Sequence, residues 1–415
     1  MLDLPFLHEL KSLNTEKSAD PFRLFRTKSW ERLFEAKKHP LRYIPLKGLY
    51  ESTFKKTTHS LLDKSTFIEA ILPECLHSHL VFVDGHFSAL LSDVTALPLL
   101  IVPLEEAMRT HSGFLQGQFS KSSKEESDPF AHLNLALHNE GVFAYLPPKN
   151  VCSAPLQCLY LSTNEHPVVS APRLHLVLGL LSQMQCIVTT RSLTESVHFT
   201  LPATELFLEE GASLDLFQTL DTLPTWHFET VRATVKKNAK LNIVNLTLGG
   251  KAVRQSYQVQ LKGENSEATL SGLALLQKNR IHHIHAVIDH EAPHTRSLQK
   301  FKNVLKDHSQ AYFEGKILVR PEAQKTEGYQ LNNNLLLSQG AIARTKPSLE
   351  IFADDVKASH GATISQLDDK QLLYLKTRGI DAASAATLLT RGFCREILEK
   401  IPYALLLKNF DGRDS

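Results

Sequence analysis

Between residues 211 and 343 apolar and polar positions alternate in short runs. The runs Glu229 to Val235, Leu241 to Leu248 and Tyr257 to Leu261 are rich in Val, Thr, Ile and Leu. Gly, Asn and charged residues separate them, and no 3.6-residue period is present. Each run therefore predicts a strand with one buried face. A short unit recurs through the region: a polar residue or glycine, an alanine, any residue, and usually a large apolar one. It reads GASL at 211, NAKL at 238, EATL at 267, QAYF at 310 and GAIA at 340. Its alanines, Ala212, Ala239, Ala268, Ala311 and Ala341, stand 27, 29, 43 and 30 residues apart. A period near 28 predicts a solenoid whose strands stack about 4.8 Å apart from one turn to the next. A β-sandwich also spaces its strands regularly and is the alternative from pattern alone.

The pattern continues at both ends. Leu349, Ile351 and Ala353 alternate with Glu350, Phe352 and Asp354, which predicts a strand ending at Asp354 and Asp355. Ser359, His360 and Gly361 then read as a turn, placing His360 at the strand exit. Asp368 is the predicted N-cap of a helix, with Gln371 in the capping-box position and Gly379 as its stop. A second helix is predicted from Asp381 to Gly392. A third runs from Phe393 to about Leu407, with Ile397, Leu398, Ile401 and Leu405 on one face. These helices are expected to cap the coil, whose edges would otherwise stay exposed. Upstream, Trp30, Leu33 and Phe34 have helical spacing, and Phe82 to Gly85 reads as a strand and turn. Lys121 to Asp128, KSSKEESD, reads as a polar linker. The expected divisions are a helical region over 1–65 and a mixed α/β entry region over 66–150 with a mobile loop at 119–128. The solenoid core then spans 151–366 and a helical domain 367–415.

Composition narrows the function. The 415 residues are 42% hydrophobic and 22% charged, with 46 basic against 44 acidic side chains and a net charge of +2. No global field draws in nucleic acid or anionic lipid. There is no basic segment leading into an apolar run, nor a stretch of about 18 apolar residues, so a cytoplasmic protein with no membrane partner is expected. Cys75, Cys152, Cys158, Cys186 and Cys394 are odd in number and form no C-x-x-C, which disfavours a disulfide framework or a structural zinc. Cys152 and Cys158, six apart, read as ordinary buried thiols rather than as a pair. The chain carries no Walker A loop, no G-x-G-x-x-G after a strand and no G-x-S-x-G elbow.

Two clusters could carry chemistry. His282, His283, His285, His290 and His294 lie within thirteen residues. On a strand His283 and His285 share a face opposite His282, so two of them could converge on a metal. Hydrogen-bonded or exposed histidines at a solenoid edge are the better reading. The second cluster is Asp354, Asp355 and His360, an acidic pair with an imidazole that titrates or binds metal near neutral pH.

The stretch Gln330 to Gly379 presents, in order, LLLS, P-x-LEI, A-DD-VK, SHGAT and Q-L-x-YL-x-x-RG. This order resembles the SufB/SufD family of iron-sulfur cluster assembly scaffolds. HxxPHTxS from His290 to Ser297 resembles a further stretch of the same family, which favours a structural or interface role for that segment. The resemblance implies a mainly β fold: a right-handed parallel β-helix with a helical N-terminal region and a helical C-terminal cap. It also implies a non-enzymatic scaffold supporting de novo cluster formation and iron acquisition. Such a scaffold pairs with a SufB-like paralogue and binds a SufC-like ATPase, which carries the ATPase activity. The SufC contacts it implies are Tyr374, Arg378, Gly379, Leu388, Leu389, Phe393 and Ile397. No cofactor would be permanently bound; an iron-sulfur cluster would be shared transiently with SufB. His360 is the implied cluster or iron ligand at that interface, with Asp354 and Asp355 as neighbours. Where the family commonly has cysteine this chain has Ala358, so thiolates would come from the partner. With its scattered cysteines and Ala358 the chain resembles the cysteine-poor branch of the family, and a homodimer of the isolated chain is compatible with it. The alternative from another class is a β-helix polysaccharide lyase or hydrolase using Asp354 and Asp355. Adjacent carboxylates on a strand point to opposite faces, which suits that chemistry poorly.

Overall fold

The structure is a computed structural model that describes residues 2–13, 20–35, 44–57, 62–110, 113–117, 119, 126–138, 140–222, 224–404 and 406–407. From Arg173 to Ser365 the chain passes seven times between two facing parallel sheets. The first sheet takes Arg173–Leu178, Ala203–Leu208, Trp226–Val235, Ala252–Leu261, Ile281–His290, Gln310–Val319 and Ile342–Ile351. The second takes Gln183–Ser192, Ser213–Asp221, Lys240–Thr247, Glu267–Leu276, Arg296–Leu305, Thr326–Leu336 and Val356–Ser365. Each strand pairs in parallel with its equivalent one turn away, as Ser213 with Lys240 and Lys240 with Glu267. The solenoid reading therefore holds and the sandwich does not.

The alanines that revealed the repeat do not share one register. Ala212 and Ala239 follow the left-handed corner residues Gly211 and Asn238. The same corner carries Asn265, His294 and Lys325 on later turns, each with φ near 60°. Each corner residue donates its N–H to the next turn: Asn238 to Glu264, Asn265 to Pro293, His294 to Gln324. The position after it is always small and fully buried, as Ser182, Ala212, Ala239, Ser266, Thr295 and Thr326. Ala268 lies two residues further along its strand, while Ala311 and Ala341 lie at the first sheet. The 43-residue interval is thus a change of sheet, one and a half turns, and not an irregular coil.

Inward-facing residues form the main core, from Leu80 and Phe82 through Leu176, Leu216, Ile243 and Tyr257 to Phe301 and Phe313. Outside the second sheet an alternating charge row, Lys240, Glu267, Arg296, Glu327 and Lys357, crosses five turns with contacts of 3.5 to 3.9 Å. The flanks are covered unequally. The N-terminal helices Leu4–Leu13 and Arg23–Glu35, with Pro129–Leu137, bury Phe6, Leu10, Trp30, Leu33 and Phe130 against Phe199, Trp226 and Phe228 of the first sheet's side.

The expected linker before Pro129 needs correction at its end. Residues 120–125 lie outside the described residues, but Glu126 and Asp128 are fixed. Glu126 stands 2.7 Å from Arg232 and Asp128 2.7 Å from Arg254, while Asp128 also caps the helix through the Phe130 N–H. Two guanidiniums of the first sheet hold these carboxylates in place, the buried one below the ordinary carboxylate range.

At the C-terminus the helix Asp369–Thr377 begins at Asp368, whose carboxylate accepts from the Lys370 N–H, and Gly379 follows it at φ +84°. The two further helices expected around Gly392 are one, Ala382–Leu398, capped by Asp381. A helical glycine costs about 1 kcal/mol. Burying Cys394 and Ile397 beyond it contributes about 1.5–3 kcal/mol per large side chain, so the helix continues. It ends before Pro402, which lacks a donor. Helices do follow the coil, as expected, but Ala382–Leu398 and the segment after it lie along its flank. Cys394, Ile397, Ile401 and Tyr403 pack on Phe217, Val244, Leu273 and Val304 outside the second sheet. Leu405 lies outside the described residues.

Candidate functional site

Because the terminal helices occupy the flank, the last turn of the solenoid stays open. Ile342–Ile351 pairs only with Gln310–Val319, and Val356–Ser365 only with Thr326–Leu336, among the described residues. Neither strand buries a residue, Val356–Ser365 is mostly exposed, and Phe352, Ile364, Tyr329 and Ile342 present apolar surface there. Lys346 and Pro347 blunt the first edge, as charges and prolines do on edge strands. The centre of the second edge, ASHGAT, carries neither a formal charge nor a proline.

His360 sits in the middle of this second edge and not in a turn. The strand begins at Val356, so Ser359, His360 and Gly361 are extended backbone, and the glycine marks no bend. The sequence suggested a turn because Gly follows His; eight ladder pairs beside Glu327–Asn334 hold the segment straight. His360 is in register with buried Gln330, so it lies on the inward face, with Ala358 on the same face two residues earlier. Its imidazole is exposed at the open end.

Asp354 and Asp355 are exposed in the turn between the two last strands. The Asp355 backbone is tied to the preceding corner: its N–H donates to Gln324 Oε1 at 3.0 Å, and its carbonyl accepts from the Lys325 N–H at 2.5 Å. Five residues of extended chain separate Asp355 from His360, about 16 Å. The two carboxylates therefore do not converge with the imidazole on one ion within this chain.

Beneath the last turn the interior becomes polar. Gln299, Asn303, Gln330, Asn332 and Asn334 are all buried. Asn303 donates to Asn334 at 2.8 Å, Asn334 to Asn332 at 2.8 Å and to the Thr363 carbonyl at 3.1 Å. Sequence reasoning passed over this network. Its signal was the alternation in Gln330 to Leu335, where the inward positions are amides instead of aliphatics.

The histidine cluster is split by the strand's two faces. His282 faces inward, between Gln255 at 3.1 Å and Asn303 at 3.4 Å; His290 faces inward, between Thr295 at 2.7 Å and Ser297 at 2.8 Å. Burial pushes both imidazoles down to about 4. His283 lies outside, 3.1 Å from Glu314, and His294 is a corner residue. With His282 and His290 inward, His283 and His285 outward and His294 at a corner, the five make no common site, and no group of three metal-ligating side chains stands together among the described residues.

The expected ATPase contacts divide in the same way. Tyr374 and Leu388 are more than half exposed, and Arg378 lies over the Tyr374 ring at 5.3 Å beside exposed Gly379. Leu389 is half-buried. Phe393 is half-buried too, with Lys302 over its ring at 5.0 Å. Ile397 is fully buried against the second sheet and offers no surface, because Cys394, Ile397 and Ile401 form the helix's inward stripe. Glu396 fixes that stripe by pairing with Lys300 and, at 2.9 Å, with Lys302. An open apolar groove runs beside the helix, between Leu275, Val304 and Leu337 of the sheet and Ala383, Ala386 and Thr390 of the helix. All five cysteines are free. No helix of the described residues is long and apolar enough to cross a membrane.

Comparison with known proteins agrees with this architecture. The family model described as "SUF system FeS cluster assembly, SufBD core domain" matches residues 160–393, the solenoid and most of the terminal helices. The iron-sulfur cluster assembly SufBD family protein slr0076 of Synechocystis is 30% identical, over 83% of this chain and 79% of its own length. The iron-sulfur cluster assembly protein SufD of Escherichia coli is 29% identical, over 87% of this chain and 83% of its own. A SufBD family protein of Pyrococcus horikoshii, PH1385, is 28% identical over 75% and 69%. With more than half of the chain matched by one family model, and relatives so described matched over most of their length, this chain belongs to the SufB/SufD family of SUF-system iron-sulfur cluster assembly proteins.

Proposed function

We propose that this chain is the SufD-like scaffold subunit of a SUF assembly complex and performs no catalysis itself. The observation that carries the reading is the open last turn: two unpaired strand edges, one of them free of charge and proline at its centre, with an exposed imidazole on its inward face. A SufB-like paralogue with an equivalent open turn would extend both sheets through main-chain hydrogen bonds, the mode by which edge strands recruit partners. His360 then supplies a nitrogen ligand or a proton acceptor to a nascent cluster, or to iron as it arrives. The cluster is cargo here, and its thiolates come from the partner because Ala358 offers none. A SufC-like ATPase docks on the exposed side of the terminal helices, at Tyr374, Arg378, Gly379 and Leu388, and nucleotide binding there rearranges the pair. Asp354 and Asp355, neighbours in one exposed turn, are not placed as two acids flanking a glycosidic bond, so the carbohydrate-active alternative gains nothing from the geometry.

The test is co-expression with a SufB-like and a SufC-like protein, wild type against His360→Ala, followed by iron, sulfide and visible absorbance of the purified complex. Loss of cluster with all subunits retained is the expected result. Unchanged loading would remove His360 from the site, and failure of the three chains to co-purify would overturn the scaffold reading.

A further inference from the structure

Beneath His360 one buried acceptor has no partner. Gln330, 3% exposed, lies directly in register with His360 on the inward face, one strand spacing away, about 4.8 Å. Its amide is locked in one orientation. Nε2 donates to Gln299 Oε1 at 2.8 Å, and Gln299 Nε2 donates in turn to the Lys316 carbonyl at 3.0 Å. Flipping either amide would set donor against donor or acceptor against acceptor. The seat is also shaped for it: a Cβ on Gly315, in the facing sheet, would stand 2.3 Å from Gln330 Nε2. The consequence is that Gln330 Oε1 is buried and unbonded. An orphaned buried acceptor costs about 1–3 kcal/mol.

We propose, resting on the reading of the last turn as the place of cluster formation, that Gln330 is the positioning residue of His360. When a partner's edge closes over the last turn, Oε1 accepts one imidazole N–H. The neutral ring has one N–H and one lone pair, so fixing the N–H on Gln330 turns the other nitrogen's lone pair towards the open end, where the iron must arrive. Histidines that ligate metals usually hand their second nitrogen to such a fixed acceptor, and loss of the acceptor typically weakens binding ten- to a hundredfold. The chain Lys316 carbonyl, Gln299, Gln330, His360 thus connects the two sheets to the proposed ligand.

The experiment uses the whole complex with its SufB-like and SufC-like partners and compares Gln330→Leu, Gln330→Glu, His360→Ala and the double variant His360→Ala/Gln330→Leu. Iron and sulfide per complex are read beside the thermal midpoint of each variant. Gln330→Leu removes one orphaned acceptor and leaves Gln299 Oε1 as another, so it is expected to keep the midpoint near wild type and to lower loading about tenfold. Gln330→Glu keeps an acceptor oxygen for the imidazole but sets its other oxygen against Gln299 Oε1, so it is expected to lower the midpoint and still to load more than Gln330→Leu. A purely structural role, in which loading follows the midpoint, would give the reverse order. The double variant should load no worse than His360→Ala alone. Wild-type loading by Gln330→Leu beside a loss in His360→Ala would overturn the positioning role and leave the site reading intact. A further loss in the double variant would show Gln330 acting independently of His360 and would also overturn it. Wild-type loading by His360→Ala would remove the site reading, and the positioning role with it.

Discussion

Ile397 and Tyr374 show how far a residue's neighbours decide its role. Both lie on the terminal helices and both were expected at an ATPase interface. Ile397 is fully buried against the second sheet, whereas Tyr374 is 58% exposed under Arg378. Ile397→Ala is therefore expected to destabilise the fold by about 2–5 kcal/mol, the range for emptying a core position. Tyr374→Ala should stay within about 0.5 kcal/mol of wild type by urea denaturation while weakening retention of the ATPase. A Tyr374→Ala variant that unfolds early, or an Ile397→Ala variant of wild-type stability, would reverse the assignment. At this scale the sequence was partly legible. His360 and the cap Asp368 stood out because imidazole and aspartate have few common uses, and Asp381, read as the first residue of its helix, proved to be its cap. Gln330 did not stand out, since a glutamine in a strand is ordinary until its burial and its fixed amide are seen.

Periodicity was the best signal at the scale of elements, and it misled only where two equivalent positions were confused. The alanine marks gave the repeat although only Ala212 and Ala239 share a register, because the corners they lie near return once per turn. His360 was assigned to a turn because Gly361 follows it. Glycine allows a bend without requiring one, and the ladder to Thr326–Leu336 settles the matter. Gly392 was read as a helix stop for the same reason. A Cβ there would meet no atom within 4 Å. Gly392→Ala is accordingly expected to stabilise the protein by about 0.5–1 kcal/mol, through helix propensity and a smaller unfolded ensemble. A lower urea midpoint would mean that the backbone there needs glycine.

For the molecule as a whole, the interior sets the pH range of stability. Burial pushes His175, His282, His285 and His290 down to about 4 and His227 to about 3. An imidazole whose folded value lies below its ordinary one near 6.5 binds fewer protons folded than unfolded. Its contribution is therefore present above 6.5 and is lost as pH falls towards 4. Each of the five represents about 3 kcal/mol over that window, so even two or three of them are comparable with a typical folding margin of about 5–15 kcal/mol. Cooperative unfolding is expected before pH 4 is reached, visible by circular dichroism. Glu229 acts in the opposite sense. Burial raises it to about 7, although Gln255 donates to it. Folded Glu229 keeps a proton that the unfolded chain releases, so stability falls as pH rises from about 4.5 to 7 and levels off above. Glu229→Gln should remove that decline and gain up to about 3 kcal/mol at pH 8. An unchanged pH profile in this variant would mean that the carboxylate is ionised in the folded protein. None of this was legible in the sequence, where these residues are ordinary members of alternating strands.

The two ends of the solenoid also differ in valence. At the far end the sheets finish in antiparallel strands, His86–Asp93 beside His79–Val83 with a bulge, and the four-residue Leu100–Pro103 beside Gly141–Leu146. Short and bulged strands recruit poorly. A molecule with one reactive end behaves like a chain terminator in polymer chemistry. Two such molecules joined end to end leave no free end for a third, so association stops at a pair and cannot run on into a fibre. If the last turn pairs as proposed, the composition of the pair is a question of supply: each copy that couples to its twin is withdrawn from the pool available to a paralogue, and the ratio in which the two are made governs the yield of mixed pairs.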